Sequence, residues 1–380
     1  MGSIRKRGKG TWTIIYSLGR DPQTGKYRQK WETIRGTKAQ AKAVLAEREA
    51  AVARGQMQDT SRMTVGQFLT RWYDSHVTRI RPATATSYEI QIRCHITPAI
   101  GSILLSKLTP LDLQELYAAK LQGGRSDGKP GGLSPQSVRY IHAVIREALS
   151  DAVRWGMVSR NVADLIDPPR PDKQRPTAWT VEQATVFLQA TRNDAVYPLY
   201  LLALMTGMRR GELLALEWQD IDWERRTVSV QRSVQRVGRR LIVGVPKTEH
   251  SVRQVALPDS CIQALRHHRT HQLQIRLIMG GRYLDCHLVF PGPGGEHMEP
   301  RALTRRYERA IKRLPVPYIP FHGLRHTHAT TLLKQGIHPK VVAERLGHSQ
   351  IRTTMDTYSH VLPGMQEEAA RAVERVLGEF

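Results

Sequence analysis

Three stretches near the C-terminus decide how this chain is read: HGLRHTHATTLL at residues 322–333, LGHSQ at 346–350 and TTMDTYSH at 353–360. They set out His322, Arg325, His348 and Tyr358 in that order. A guanidinium, two imidazoles and a phenol are poor material for a metal cage but suit a protein that holds a phosphodiester and attacks it. Arginine offers a rigid fork of donors to phosphate oxygens, histidine donates or moves a proton near neutral pH, and tyrosine is a nucleophile once its proton is accepted. His322 and His326 stand four residues apart and mimic a metal pair, yet Gly-Leu-Arg between them supplies no HExxH glutamate. Tyr358 taken alone also reads as an ordinary half-buried tyrosine.

Upstream, the helical run YPLYLLALMTG (197–207) stops at Gly207 and leads into MRRGELLALEW (208–218), with Arg209 at the start of the next helix. Helix N-termini offer free N–H groups to anions, and an adjacent arginine adds a bidentate contact. The bland reading is a surface charge. Glu212, three residues on, reads as orienting Arg209 or as capping its own helix. In LIVGVPKTEHSVRQVALP (241–258) two β-rich runs are joined by a turn with Lys247 at or near its tip. Lysines at hairpin tips are usually solvated, but a mobile hairpin can carry an ammonium into a neighbouring groove and protonate a leaving alkoxide.

Composition narrows the partner. The chain has 380 residues, 40% of them hydrophobic and 24% charged, as expected for globular protein with several cores. Lysine and arginine number 57 against 34 acidic residues, a net charge of +23 spread along the whole length, which points to a polyanion wrapped by every segment. Cys94, Cys261 and Cys286 lack CxxC spacing, so neither a zinc ribbon nor a disulfide framework is indicated. No signal-peptide core, membrane span or GxxxxGK[ST] loop is present, so the expected location is cytoplasmic and nucleoid-associated.

Local patterns divide the chain into three. TWTIIYS (11–17) and KYRQKWETI (26–34), separated by GRDPQTG, predict a hairpin, and Thr37 caps a helix that closes on Gly55. Trp12, Tyr16, Tyr27 and Trp31 lie among basic residues, suited either to a DNA groove or to packing on the helix. A linker near 56–63 precedes a helical region. Its helices start at Thr64, at Thr86 (ending near Pro98), at Thr109-Pro110 with Asp112, and at Ser134-Pro135. Val138, Ile141, Ile145, Leu149, Ala152 and Val153 form the core stripe of the last. GGRSDGKPGG (123–132) is too glycine-rich to hold structure. DPPRPDKQRPTA (167–178) is an extended connector, beyond which come helices, strands from Arg226 to Leu257, and more helices. His267, His268 and His271 are expected to face solvent. Ala369, Val373, Val376, Leu377 and Phe380 form a terminal apolar stripe that packs on its own domain or on a neighbouring subunit.

TGMRRGEL, PKT, HGLRH, LGHS and TYSH occur in the order and approximate spacing seen in tyrosine recombinases, so the chain resembles the phage-integrase family over its whole layout, most specifically in residues 205–360. The resemblance implies a multidomain protein. Residues 1–60 would be a small α+β arm-binding domain with a three-stranded sheet and a helix, and residues 63–170 an all-α core-binding domain. Residues 176–380 would form a mainly α catalytic domain with a small antiparallel β-sheet and a C-terminal helix. It implies that Arg209 and Arg325 clamp the scissile phosphate, Lys247 is the general acid toward the 5′-oxygen, His322 and His348 complete the pocket, Glu212 supports it, and Tyr358 forms a 3′-phosphotyrosyl link. No metal, ATP or other cofactor is expected. The implied partners are double-stranded DNA at core and arm sites, a tetramer of this chain on DNA, and possible excisionase and host DNA-bending proteins. The N-terminal domain favours integration and excision of a phage or other mobile element. A type IB topoisomerase and an inactive architectural or regulatory DNA-binding protein are the competing readings.

Overall fold

The computed structural model describes residues 2–20, 27–53, 62–125, 128–171, 177–245, 252–358 and a few positions between 371 and 378. Its contacts divide the chain into two units, Met1–Lys173 and Gln174–Phe380. No described helix is long and apolar enough to cross a membrane.

The first unit opens with an antiparallel sheet in the order β1 (Ser3–Gly8), β2 (Thr11–Arg20), β3 (Tyr27–Arg35), followed by helix α1 (Lys38–Ala53). Thr37 starts α1 as a reciprocal cap: its hydroxyl accepts from Gln40 N–H at 3.3 Å while Gln40 Oε1 accepts from Thr37 N–H at 2.8 Å. Side chains alternate across a strand. Ile14 and Tyr16 therefore face α1 and bury against Ala41 and Leu45, while Trp31, paired with Ile15, lies on the opposite face and is 60% exposed. Tyr27 is exposed too, and the Arg5 guanidinium sits 5.8 Å from the Trp31 ring. The four aromatics thus split, Tyr16 into the core with Trp12 packed against it, and Tyr27 and Trp31 to solvent. The turn at 21–26, Gly55 and the linker at 56–61 lie outside the described residues.

Five helices follow: α2 (Val65–His76), α3 (Pro82–Gln91), α4 (Thr97–Ile100), α5 (Pro110–Gln122) and α6 (Pro135–Arg154). Thr64 and Thr109 each form a capping box, with Gln67 and Asp112 respectively, and Ser134 accepts from Ser137 N–H. α3 begins at Pro82, four residues before the expected Thr86, because a proline in the first turn sacrifices no helical hydrogen bond. The chain then runs through Pro98 rather than ending there. A π-turn at Ile92–Ile96 bonds Thr97 N–H to Ile92 O, which shifts the ladder just where proline has no N–H to give. The stripe of α6 is buried except Val153, which is half-buried, and Asp151 on the same helix accepts from Trp72 Nε1 at 2.7 Å. The two ends of the glycine-rich loop are tied together, against expectation: Gly124 and Gly132 form a bridge, and Leu133 N–H bonds Lys120 O at 2.7 Å, while residues 126–127 lie outside the described residues.

The second unit contains α7 (Val181–Ala190), α8 (Tyr197–Thr206), α9 (Arg210–Leu214), strands β4 (Ile221–Asp222), β5 (Thr227–Val230), β6 (Ser233–Val237), β7 (Arg240–Gly244) and β8 (Arg253–Ala256), then α10 (Asp259–Met279), α11 (Pro300–Ile311), α12 (Gly323–Lys334), α13 (Pro339–Leu346) and α14 (Ile351–Tyr358). β8 pairs with β5 in a sheet of order β4-β5-β8, and β7 pairs with β6. The two runs that flank Lys247 therefore belong to different sheets instead of one hairpin. Burial explains the split: Val255 of β8 meets Val228 in the core, whereas Ile242 and Val243 of β7 are exposed. α8 is apolar around its whole circumference because other elements of this unit enclose it: Leu199, Tyr200, Leu202 and Ala203 are all buried.

Candidate active site

α12 carries the decisive motif in the interior: Gly323, Leu324, Arg325, Thr327, His328 and Ala329 are all buried. A buried guanidinium needs partners for its donors. Arg325, 3% exposed, gives Nη1 to Gly207 O at 2.8 Å and Nη2 to Leu346 O at 2.7 Å, which leaves three of its five N–H groups for a ligand. Gly207 can present its carbonyl there because it ends α8 in the left-handed conformation, φ 65°. A Cβ at that position would lie 2.6 Å from Leu346 Cδ2 and 2.7 Å from His328 Cδ2.

The C-terminal end of α13 organises the arginines. Helix ends leave carbonyls unpaired and carry partial negative charge. Here three consecutive carbonyls each accept from a guanidinium: Arg345 O from Arg253 Nε at 2.7 Å, Leu346 O from Arg325 Nη2, and Gly347 O from Arg209 Nη2 at 3.3 Å. Gly347 turns the chain at φ 67° and delivers His348 directly after it. Arg345 itself reaches back to Met205 O at 2.9 Å and Ala256 O at 3.1 Å, tying α13 to α8 and β8.

Glu212, 2% exposed, performs both roles the sequence left open. Its Oε2 accepts Arg209 N–H at 2.9 Å, capping α9, and its Oε1 accepts Arg209 Nη1 at 2.8 Å. The N–H of Arg209 is thereby used internally, so the expected anion contact rests on the guanidinium rather than on that amide. Arg253 Nη2 adds a third link, 2.9 Å from Oε2. Burial opposes ionisation of Glu212, but Arg253 and then Arg209 outweigh it and hold the carboxyl below its ordinary range.

The histidines gather around this cluster. His322, just before α12, has its ring 4.9 Å from that of His326 and nearly perpendicular to it. His322 is exposed to solvent, yet loss of hydration where its ring packs, followed by His326, Arg325 and Arg209, brings its pKa down to about 4. His348 Nδ1 is 2.7 Å from Thr354 Oγ1 on α14, and burial with Arg325 and Arg209 brings it to about 4 as well. Tyr358 ends α14 and packs on Ala329, Leu333, Val342 and Leu346 at 2% exposure. Its hydroxyl lies 2.6 Å from His326 Nδ1, and burial, relieved in part by Arg325, raises its pKa to about 12.

The structure thus brings Arg209, Glu212, His322, Arg325, His348 and Tyr358 into one region of the second unit, linked through α13. Lys247 lies outside the described residues, as do Ala369, Val376 and Phe380 of the terminal stripe, whereas Val373 and Leu377 are exposed. Arg253, Arg345 and His326 went unassigned at the sequence level. Arginine in a short strand or last helical turn ordinarily reads as solvated, and His326 carried only a metal-pair reading; among the described residues no group of three metal-type ligands forms. His268 does not face solvent as expected: its Nε2 is 2.7 Å from Val289 O, and its ring packs 5.2 Å from Phe290.

Comparison with known proteins identifies this arrangement. Residues 180–365 match the phage integrase family, 64–121 the phage integrase N-terminal SAM-like domain, and 3–52 the arm DNA-binding domain. The chain belongs to the phage integrase family of tyrosine recombinases, site-specific enzymes that cleave and rejoin DNA. It is 30% identical to a XerC-like tyrosine recombinase of Caldanaerobacter subterraneus subsp. tengcongensis over 97% of both chains, and 24% identical to the ICEBs1 integrase of Bacillus subtilis over 99% of this chain and 100% of that one. Its fold is similar to that of the Tn1549 transposon integrase solved with transposon right end DNA (TM-score 0.66, 21% identity, 83% of this chain and 100% of that one). It is also similar to lambda integrase solved as a dimer on a core site (TM-score 0.57, 19% identity, 93% of each).

Proposed function

We propose that this integrase cuts DNA through Tyr358, with Arg209 and Arg325 gripping the scissile phosphate. The observation that carries this reading is the anchoring of both guanidiniums to adjacent carbonyls at the end of α13, Leu346 and Gly347, with His348 following and Tyr358 packed on the same helix. Donors fixed before the reaction stabilise the charge that builds on the non-bridging oxygens without reorganising. His322 and His348, neutral at pH 7, donate or accept hydrogen bonds there. Lys247 protonates the leaving 5′-oxygen. The phosphotyrosyl bond keeps the phosphodiester energy, so a DNA 5′-hydroxyl reverses the step without ATP or metal.

Residues 1–60 bind arm-type sites through the exposed sheet face with Arg5, Tyr27 and Trp31; residues 63–170 bind the core site; residues 176–380 catalyse. The arm DNA-binding match and the full-length similarity to integrases support integration and excision of a mobile element over topoisomerase or purely architectural roles. Lambda integrase has been solved as a tetramer bound to a Holliday junction, and a tetramer on DNA is the assembly we assign to this chain. An excisionase and a host DNA-bending protein as accessory partners, and the cytoplasm as its location, complete our reading.

A nicked suicide substrate tests the nucleophile. Wild-type protein should accumulate a covalent adduct, in EDTA as well as in Mg²⁺, and Tyr358→Phe should accumulate none. An adduct from Tyr358→Phe refutes the assignment.

A further inference from the structure

We infer that His326 is the general base of DNA cleavage, taking the phenolic proton of Tyr358 on its Nδ1 as the tyrosine oxygen attacks phosphorus. The inference rests on Tyr358 being the nucleophile, and its test separates the two claims.

A phenol buried to 2% exposure cannot pass its proton to bulk water, so a neighbouring group must take it. Among the described residues, His326 Nδ1 at 2.6 Å is the recorded hydrogen-bond partner of the Tyr358 hydroxyl, within the reach a general base requires. The other two histidines are placed for different work. His348 is engaged with Thr354 at its Nδ1, and His322 meets His326 edge to face. His326 sits on the first turn of α12, one residue after Arg325, so one helical turn carries both a phosphate-binding guanidinium and the base that faces the nucleophile. Among the described residues, the titratable and charged groups that face it are Arg325 and His322 on and before its own helix and Tyr358 from α14. Burial and Arg325 lower its pKa, which keeps the ring neutral and able to accept near pH 7.

The step balances. A bond forms between the Tyr358 oxygen and phosphorus, the bond from phosphorus to the 5′-oxygen breaks, and the phenolic proton moves to Nδ1 of an Nε2–H imidazole. The leaving 5′-oxygen takes a proton from the ammonium assigned to Lys247. On rejoining, His326 returns its proton to the phenolate leaving group.

Single-turnover cleavage of a nicked suicide substrate, followed from pH 5 to 9, tests the inference with His326→Ala, His326→Asn and Tyr358→Phe beside the wild type. Both His326 variants should cleave about 100-fold more slowly at pH 7 and should lose the wild-type decline at low pH that reports protonation of the base. Asn can hold the phenol by a hydrogen bond but cannot take its proton. A wild-type rate in His326→Asn would therefore reduce His326 to a positioning residue and overturn the inference, as would a wild-type rate or an unchanged acid limb in His326→Ala. Melting curves and DNA affinity close to wild type show that the Asn variant is folded. If Tyr358→Phe still forms an adduct, the nucleophile assignment fails, independently of the His326 rates.

Discussion

Arg253 and Glu212 form an ion pair sealed inside the second unit, Nη2 to Oε2 at 2.9 Å, with side-chain exposures of 6% and 2%. The same carboxylate holds the Arg209 guanidinium, and the same arginine holds the end of α13 through Arg345 O. The pair is thus a strut between two parts of the proposed phosphate grip.

Arg253→Met should therefore be worse than a surface change. Glu212 keeps Arg209 as a partner, so the loss should fall at or below the lower end of the roughly 3–5 kcal/mol that a fully unpaired buried charge costs. Urea denaturation should show the lower midpoint. Single-turnover cleavage should fall as well, since Arg209 loses the anchor of its own partner.

Gly207→Ala should destabilise the protein by at least about 1 kcal/mol from the φ of 65° alone, with more from the contacts at Leu346 and His328. A thermal melt checks the stability. Cleavage should suffer with it, because the Gly207 carbonyl is one of the two that hold Arg325.

Stability should decline in mild acid. His322 and His348 titrate at about 4 in the folded protein, below the unfolded histidine value of about 6.5. Their contribution is complete above about pH 6.5 and is lost as pH falls toward 4. Glu212, also depressed on folding, extends the loss below its unfolded value of about 4.3. Urea midpoints at pH 7, 5.5 and 4.5 should fall in that order, and NMR titration should find both imidazoles neutral at pH 6.

Trp31→Ala should weaken arm-site DNA binding about tenfold while leaving the fold intact, since the ring lies on the open face of the sheet. Tyr16→Ala should instead unfold the N-terminal domain, whose small core among the described residues centres on Ile14, Tyr16, Ala41 and Leu45. Fluorescence anisotropy with separate arm and core duplexes distinguishes the two, and core-site affinity should hold in both variants.

The sequence by itself determined the family and singled out most residues of the proposed site, because catalysis of this kind needs particular residue types at spacings that survive as motifs. Helix starts with a side-chain cap were equally legible: Thr64, Thr109 and Ser134 cap within three residues, an interaction of short range, whereas α3, whose cap Arg81 makes no such bond, starts four residues before the expected Thr86. Only the tertiary structure decided which arginines hold the site together. The carbonyls of Arg345, Leu346 and Gly347 accept from Arg253, Arg325 and Arg209, partners separated by up to 138 residues, and nothing local to Arg253 distinguishes it from a solvated strand arginine. It also separated β7 from β8, through the burial of Val255 against Val228, and set His326 beside Tyr358 across 32 residues. Local chemistry writes itself into neighbouring positions. The satisfaction of buried charges and hydroxyls depends on which distant groups the packed helices bring within hydrogen-bond reach, and no sequence spacing encodes that.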